Sequence, residues 1–190
     1  MGDGGAGVTA ADLALFTRSA GYALEGLAEV TDADLDRPTP CPGWDLRTLV
    51  LHLADAADGL AVLARTGELA LPQPPRSGDA DPAAVARERL LALLDVLTST
   101  AGSAESAAAA RGGAVEVAAH GWDVATACGS ARRMPPGLAG DLFAVASRLL
   151  AEGARPAVFA PPVDLPVTAG AEDRLVAFLG RRPTVPAATR

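Results

Sequence analysis

Residues 45–67 read DLRTLVLHLADAADGLAVLARTG, and the spacing within this stretch decides the class of the protein. Leu49, Leu53, Ala56, Leu60 and Leu63 recur at three- and four-residue intervals, which places them on one face of an α-helix and not on alternate sides of a strand. Asp45 has the short acceptor side chain of an N-cap, and Gly67 suits the left-handed turn that ends a helix. A helix from Leu46 to Thr66 is therefore expected, with His52 at the border of its apolar stripe.

The same period appears on both sides. Leu13, Phe16, Ala20, Leu24 and Leu27 predict a first helix from a Thr9 cap to about Ala28, after a Gly-rich start (1–8) expected to be disordered. Between these helices, Thr31 to Gly43 carries three prolines and reads as extended chain. Leu71 to Asp81, LPQPPRSGDAD, reads as a loop or lid that leads to Pro82 in the first turn of a third helix, 82–100. From Ala101 to Gly113 the Ala run favours helix and the glycines favour a break, so its middle stays open. Ala114 to Ala127 is small or apolar on nearly every face and predicts a buried helix. Helices over 138–154 and 171–179, joined by the Pro-rich strap AVFAPPVDLPVTAG, complete the chain.

The chain has 190 residues, 49% of them hydrophobic and only 4% aromatic, which suits one closely packed all-α domain spanning 1–190 better than a sheet. A net charge of −7 offers no electrostatic footprint for nucleic acid or an anionic membrane. All basic residues are Arg, the signature of a GC-rich genome. Cys41 and Cys128 form no CxxC pair, and no basic leader or apolar run of about 18 residues occurs. A soluble, cytoplasmic protein is the expectation.

Both histidines of the chain fall in helices with core-like patterns. Glu116 and His120 are four residues apart, so their side chains share a helix face one turn apart and can approach one ion, with Asp123 continuing that face. If His52 meets them across the bundle, two histidines and a carboxylate would leave a coordination position open, as catalytic zinc sites do. By spacing alone, hydrogen-bonded core histidines and a salt-bridged Glu116 are an equal alternative.

Two longer segments bear on that choice: PTPCPGWDLRTLVLH, 38–52, and EVAAHGWDVATACG, 116–129. Together with AEDRLVAFLGR at 171–181, they resemble the DinB/YfiT-like metalloenzyme superfamily, in particular the actinobacterial branch related to the N-terminal domain of mycothiol-dependent maleylpyruvate isomerase. The resemblance implies a DinB-like four-helix bundle with an added C-terminal helix and strap, and a divalent metal (zinc, with nickel or iron as alternatives) on His52, Glu116 and His120. It further implies mycothiol or another low-molecular-weight thiol as co-substrate and a small-molecule substrate; a homodimer is a further expectation. The isomerase relatives carry a further C-terminal domain for which this length has no room, so maleylpyruvate itself is not the expected substrate.

The expected function is an enzyme of the isomerase, transferase or lyase type in natural-product metabolism, whose metal activates a thiol or water for attack on a small electrophile. The alternative is a metal-independent binding or cyclisation protein on the same bundle. Around the triad, Asp55 and Asp123 are candidates to orient a ligand histidine, and Trp44 and Phe16 are candidate walls of a substrate pocket. Trp122 points about 160° away from His120 on an ideal helix and reads as core. Cys41 could be a nucleophile but reads better as structural; Cys128 reads as a core or cap residue. Arg174, Arg181 and Arg182 could grip an anion, although terminal arginines are commonly solvated.

Overall fold

A computed structural model describes residues 10–71, 75–78, 81–152 and 160–183, so the expected disorder of 1–8 and the Thr9 cap lie outside the described residues. All regular structure among the described residues is helical: α1 (Ala10–Leu27), α2 (Leu46–Thr66), α3 (Pro82–Ser99), α4 (Ala104–Ala127), α5 (Leu138–Glu152) and α6 (Ala171–Phe178). The all-α class expected from the apolar spacing is the class observed among the described residues. By contacts, the chain divides into two compact units, one up to Arg132 and one from Arg133.

Local chemistry accounts for most helix ends. The Asp45 carboxylate accepts from the Thr48 N–H at 2.8 Å, and Gly67, at φ 80°, donates its N–H to the Leu63 carbonyl and closes α2. Asp81 caps α3 through the Ala84 N–H, with Pro82 beside it where no N–H is needed. Ser103 caps α4 through the Ser106 N–H.

One open reading is decided and one expectation is corrected. The stretch left open at 101–113 is helical from Ala104, and α4 runs straight through Gly112 and Gly113 to Ala127. Burial supplies the reason: a Cβ on Gly113 would lie 3.1 Å from Leu60 and 3.2 Å from Phe16, so this glycine permits close helix packing and does not signal a break. The segment before α2 is not simply extended either. Asp32–Asp34 form a turn of 3₁₀ helix, in which the Asp34 carboxylate accepts from the N–H and hydroxyl of Thr31. Those bonds, followed by the nearby Arg37 charge, outweigh burial and hold the Asp34 carboxyl below its usual range.

In the first unit, α1 packs on α3 and α4, and α2 packs on the same two helices, around fully buried Phe16, Leu27, Leu49, Leu53, Leu90, Leu93 and Leu97. Gly113 faces Phe16 and Gly121 faces Ala23, so α1 and α4 run in the same direction. Leu60 lies at Gly113 while His52 lies at Glu116, so α2 runs antiparallel to α4. Arg37 donates to the Cys128 carbonyl at 3.1 Å, placing a cation on the C-terminal end of α4 and tying the 31–45 connection to that helix. The connection is thereby held at the end of the bundle where His52 and His120 lie.

In the second unit, α5 and α6 bury Leu138, Leu142, Leu175 and Leu179, and Phe143 meets Phe178 at 5.1 Å between ring centroids. Buried Glu172 accepts from the Met134 N–H at 2.7 Å and pairs with Arg133 at 3.3 Å. Arg181, also buried, donates to the Leu179 carbonyl at 3.1 Å, while Arg182 is exposed. Arg174 lines a small groove with Gly140, Phe143 and Ala171.

Candidate metal centre

His52 projects from the second turn of α2, and Glu116 and His120 project one turn apart from α4. Glu116 Oε1 lies 3.1 Å from His52 Nε2 and 3.1 Å from His120 Nε2, so both rings converge on a single carboxylate oxygen. The rings stand nearly perpendicular, with centroids 5.1 Å apart. The side chains of His52 and Glu116 retain 28% exposure each, whereas His120 is buried. The cluster is thus closed from the α4 side and open toward solvent on the His52 side.

Each histidine is held differently. Asp123, fully buried, accepts from His120 Nδ1–H at 3.0 Å, which directs Nε2 toward Glu116. Among the described residues, Glu116 is the one hydrogen-bond partner of His52, whose ring is instead packed by Trp44, 4.7 Å away between centroids. The Trp44 ring also lies 6.4 Å from that of His120, so one indole covers both. On its loop, Trp44 borders an open groove of about 360 Å³ with Asp36, Pro38, Thr39, Gly43 and Asp45.

Other candidates fall elsewhere. Asp55 does not touch His52: it accepts from the Arg76 backbone N–H at 2.8 Å and from Arg76 Nε at 3.1 Å, and Arg76 also bridges to Asp58. The described part of the 71–81 loop is therefore pinned to α2 by an ion pair that no local spacing reveals. Phe16 is fully buried against Gly113 and lies in the core, as does Trp122. Cys41, read as structural, proves to donate its thiol to Asp123 Oδ2 at 3.3 Å.

The electrostatics are those of a charge-dense pocket. Burial opposes ionisation of Glu116, yet the adjoining His120 charge and the bonds from both histidines overcome it and hold the carboxyl well below its ordinary range. Burial likewise opposes a charge on His120, and Glu116, Asp123 and Cys41 outweigh it, raising its pKa well above the ordinary imidazole value. With a carboxylate at each ring nitrogen, His120 is held toward its charged form, and a divalent cation would neutralise the same groups.

The donor set fits such an ion. His52, Glu116 and His120 each offer one ligand atom within 4.8 Å of the other two. Two ligands each about 2.0–2.1 Å from a tetrahedral zinc are about 3.3 Å apart, close to the observed spacings. Cys41, His120 and Asp123 form a second such group. It contains the fully buried Asp123 and the buried His120, whereas the first set keeps two part-exposed members and hence access for a further ligand.

Comparison with known families adds an independent line. The family described as the mycothiol maleylpyruvate isomerase N-terminal domain matches residues 16–125, more than half of the chain. The chain belongs to that family. Cys41, Trp44, His52, Glu116, His120 and Asp123 all fall inside the matched segment. No curated protein and no solved structure matches the chain significantly. No helix among the described residues is long and apolar enough to cross a membrane.

Proposed function

We propose that this mycothiol-isomerase-type domain is a metal-dependent enzyme that uses an exogenous low-molecular-weight thiol, mycothiol being the one its family name suggests, against a small electrophilic substrate. The observation that carries this reading is the convergence of His52 Nε2 and His120 Nε2 on Glu116 Oε1, both at 3.1 Å, with one side of the cluster open. A divalent ion on these three residues would supply Lewis acidity, lowering the pKa of a coordinated thiol or water so that the nucleophile exists at neutral pH. Zinc suits the mixed nitrogen and oxygen donors.

The chain's own residues have definite tasks in this scheme. Asp123 keeps a proton on His120 Nδ1 and thereby leaves Nε2 as a lone-pair donor. Glu116 supplies the anionic ligand, and its low pKa keeps it ionised. Trp44 fixes His52 by packing and forms a wall between the cluster and the adjacent groove, where an apolar part of the thiol or substrate can rest. Isomerisation, transfer and elimination differ only in the fate of the adduct after thiol addition.

A second reading, metal-independent binding or cyclisation of a small molecule, is favoured by one observation: the cluster satisfies its own hydrogen bonds when His120 is protonated. Elemental analysis of protein purified without an affinity tag or chelator separates the two. One divalent ion per chain in the parent, and none in His120→Ala, is the expected result. A metal-free protein that still consumes thiol would sink the first reading.

A further inference from the structure

The loop before α2 reaches the cluster with two side chains: Trp44 packs against the rings of His52 and His120, and Cys41 lies beside His120 and Asp123. Asp123 Oδ2 accepts both from His120 Nδ1–H at 3.0 Å and from Cys41 Sγ–H at 3.3 Å. Asp123 is fully buried, so water does not readily replace a donor that is lost, and the carboxylate is then held less firmly. Two donors arriving from different elements hold the oxygen in place. With one removed, the carboxylate can turn about its Cβ–Cγ bond and carry the Nδ1 of His120 with it.

We propose that Cys41 is a positioning residue, whose thiol donates to Asp123 so that Asp123 holds the plane and Nδ1–H of His120 and aims Nε2 at Glu116 and His52. In this role the sulfur stays a protonated donor and forms no bond to substrate. The connection spans 82 positions of sequence and couples the 38–45 loop to α4, so the segment that presents Trp44 also sets the geometry of the buried histidine. The predicted effect on metal affinity rests on the metal-dependent reading above; the effect on the His120 ring does not.

The test compares Cys41→Val, close in size but without a donor, with Cys41→Ser, which restores one. In the metal-free protein, the downfield Nδ1 proton of His120 is followed by NMR, with far-UV circular dichroism confirming that each variant is folded. The parent and Cys41→Ser should show a protected resonance, and Cys41→Val should show exchange with water at least about tenfold faster. Competition with a chromophoric chelator should then give zinc affinity about tenfold weaker for Cys41→Val, the low end of what loss of a partner to a metal ligand causes, with recovery in Cys41→Ser. An unchanged His120 proton in Cys41→Val, or equal impairment in both folded variants, would overturn the assignment. A parent that takes up no zinc removes the metal-dependent reading, and the His120 proton alone then decides the role of Cys41.

Discussion

At the scale of single residues, the two histidines are unequal although both face the same glutamate oxygen. His120 is fixed by a buried carboxylate, whereas His52 depends on contact with an indole. Asp123→Asn should retain an acceptor for Nδ1–H but remove the negative charge that strengthens His120 as a ligand, and zinc affinity should fall about 10–100-fold in a chelator competition assay. The pH dependence of the metal-free protein follows from the same groups. Glu116 has a pKa below its ordinary value of 4.5, so its contribution to stability is complete above 4.5 and is lost as pH falls toward the folded value. His120 has a pKa raised above 6.5, so its contribution is complete below 6.5 and is lost as pH rises through the folded value. Thermal melts of metal-free protein should therefore show these two contributions together between 4.5 and 6.5, and Glu116→Gln should diminish both. Zinc affinity should run the other way over this window, weakening as pH falls, because protons compete with the ion for His120.

Among the helices, α4 carries two of the three proposed ligands and the most close packing. Its glycines separate into two kinds. A Cβ at Gly112 would meet nothing within 4 Å, whereas one at Gly121 would lie 3.1 Å from the backbone Cα of Ala23 on α1. Gly112→Ala should accordingly stabilise the protein by about 0.5–1 kcal/mol through helix propensity and reduced unfolded-state freedom. Gly121→Ala should destabilise it by about 1–3 kcal/mol, since backbone cannot yield as a flexible side-chain end can. Chemical denaturation of the pair reads both signs. Gly121 adjoins His120, so its variant should also disturb the proposed metal centre, while Gly112→Ala should leave metal uptake unchanged.

For the molecule as a whole, the proposed ligands come from two helices, and the groups that orient them from α4 and from a loop. An ion held only by the folded state therefore stabilises folding itself, by about 2.7 kcal/mol at a free concentration 100 times its dissociation constant. Zinc should raise the melting temperature of metal-free parent protein in a concentration-dependent way, and a chelator should reverse the gain. His120→Ala should show neither response. A parent melting curve indifferent to both zinc and chelator would count against the proposed centre.

Local signals in the sequence determined the helices, because caps and stops act within a few residues of themselves: Asp45 and Gly67 bound α2, and Pro82 opens α3, where short-range chemistry requires. The four-residue interval likewise put Glu116 and His120 on one face before any tertiary contact was known. His52 joined them only through family resemblance, since the partners are 64 positions apart and helical period says nothing about which faces meet. Tertiary structure alone decided that α4 continues through Gly112 and Gly113, because the packing of Phe16 and Leu60 requires a missing Cβ at Gly113, which a local reading takes for a breaker. It also decided that Asp55 serves Arg76 while Asp123 serves His120 and Cys41. Backbone preference is written in neighbouring residues; a side chain's partner is settled only when helices and loops distant in sequence pack together.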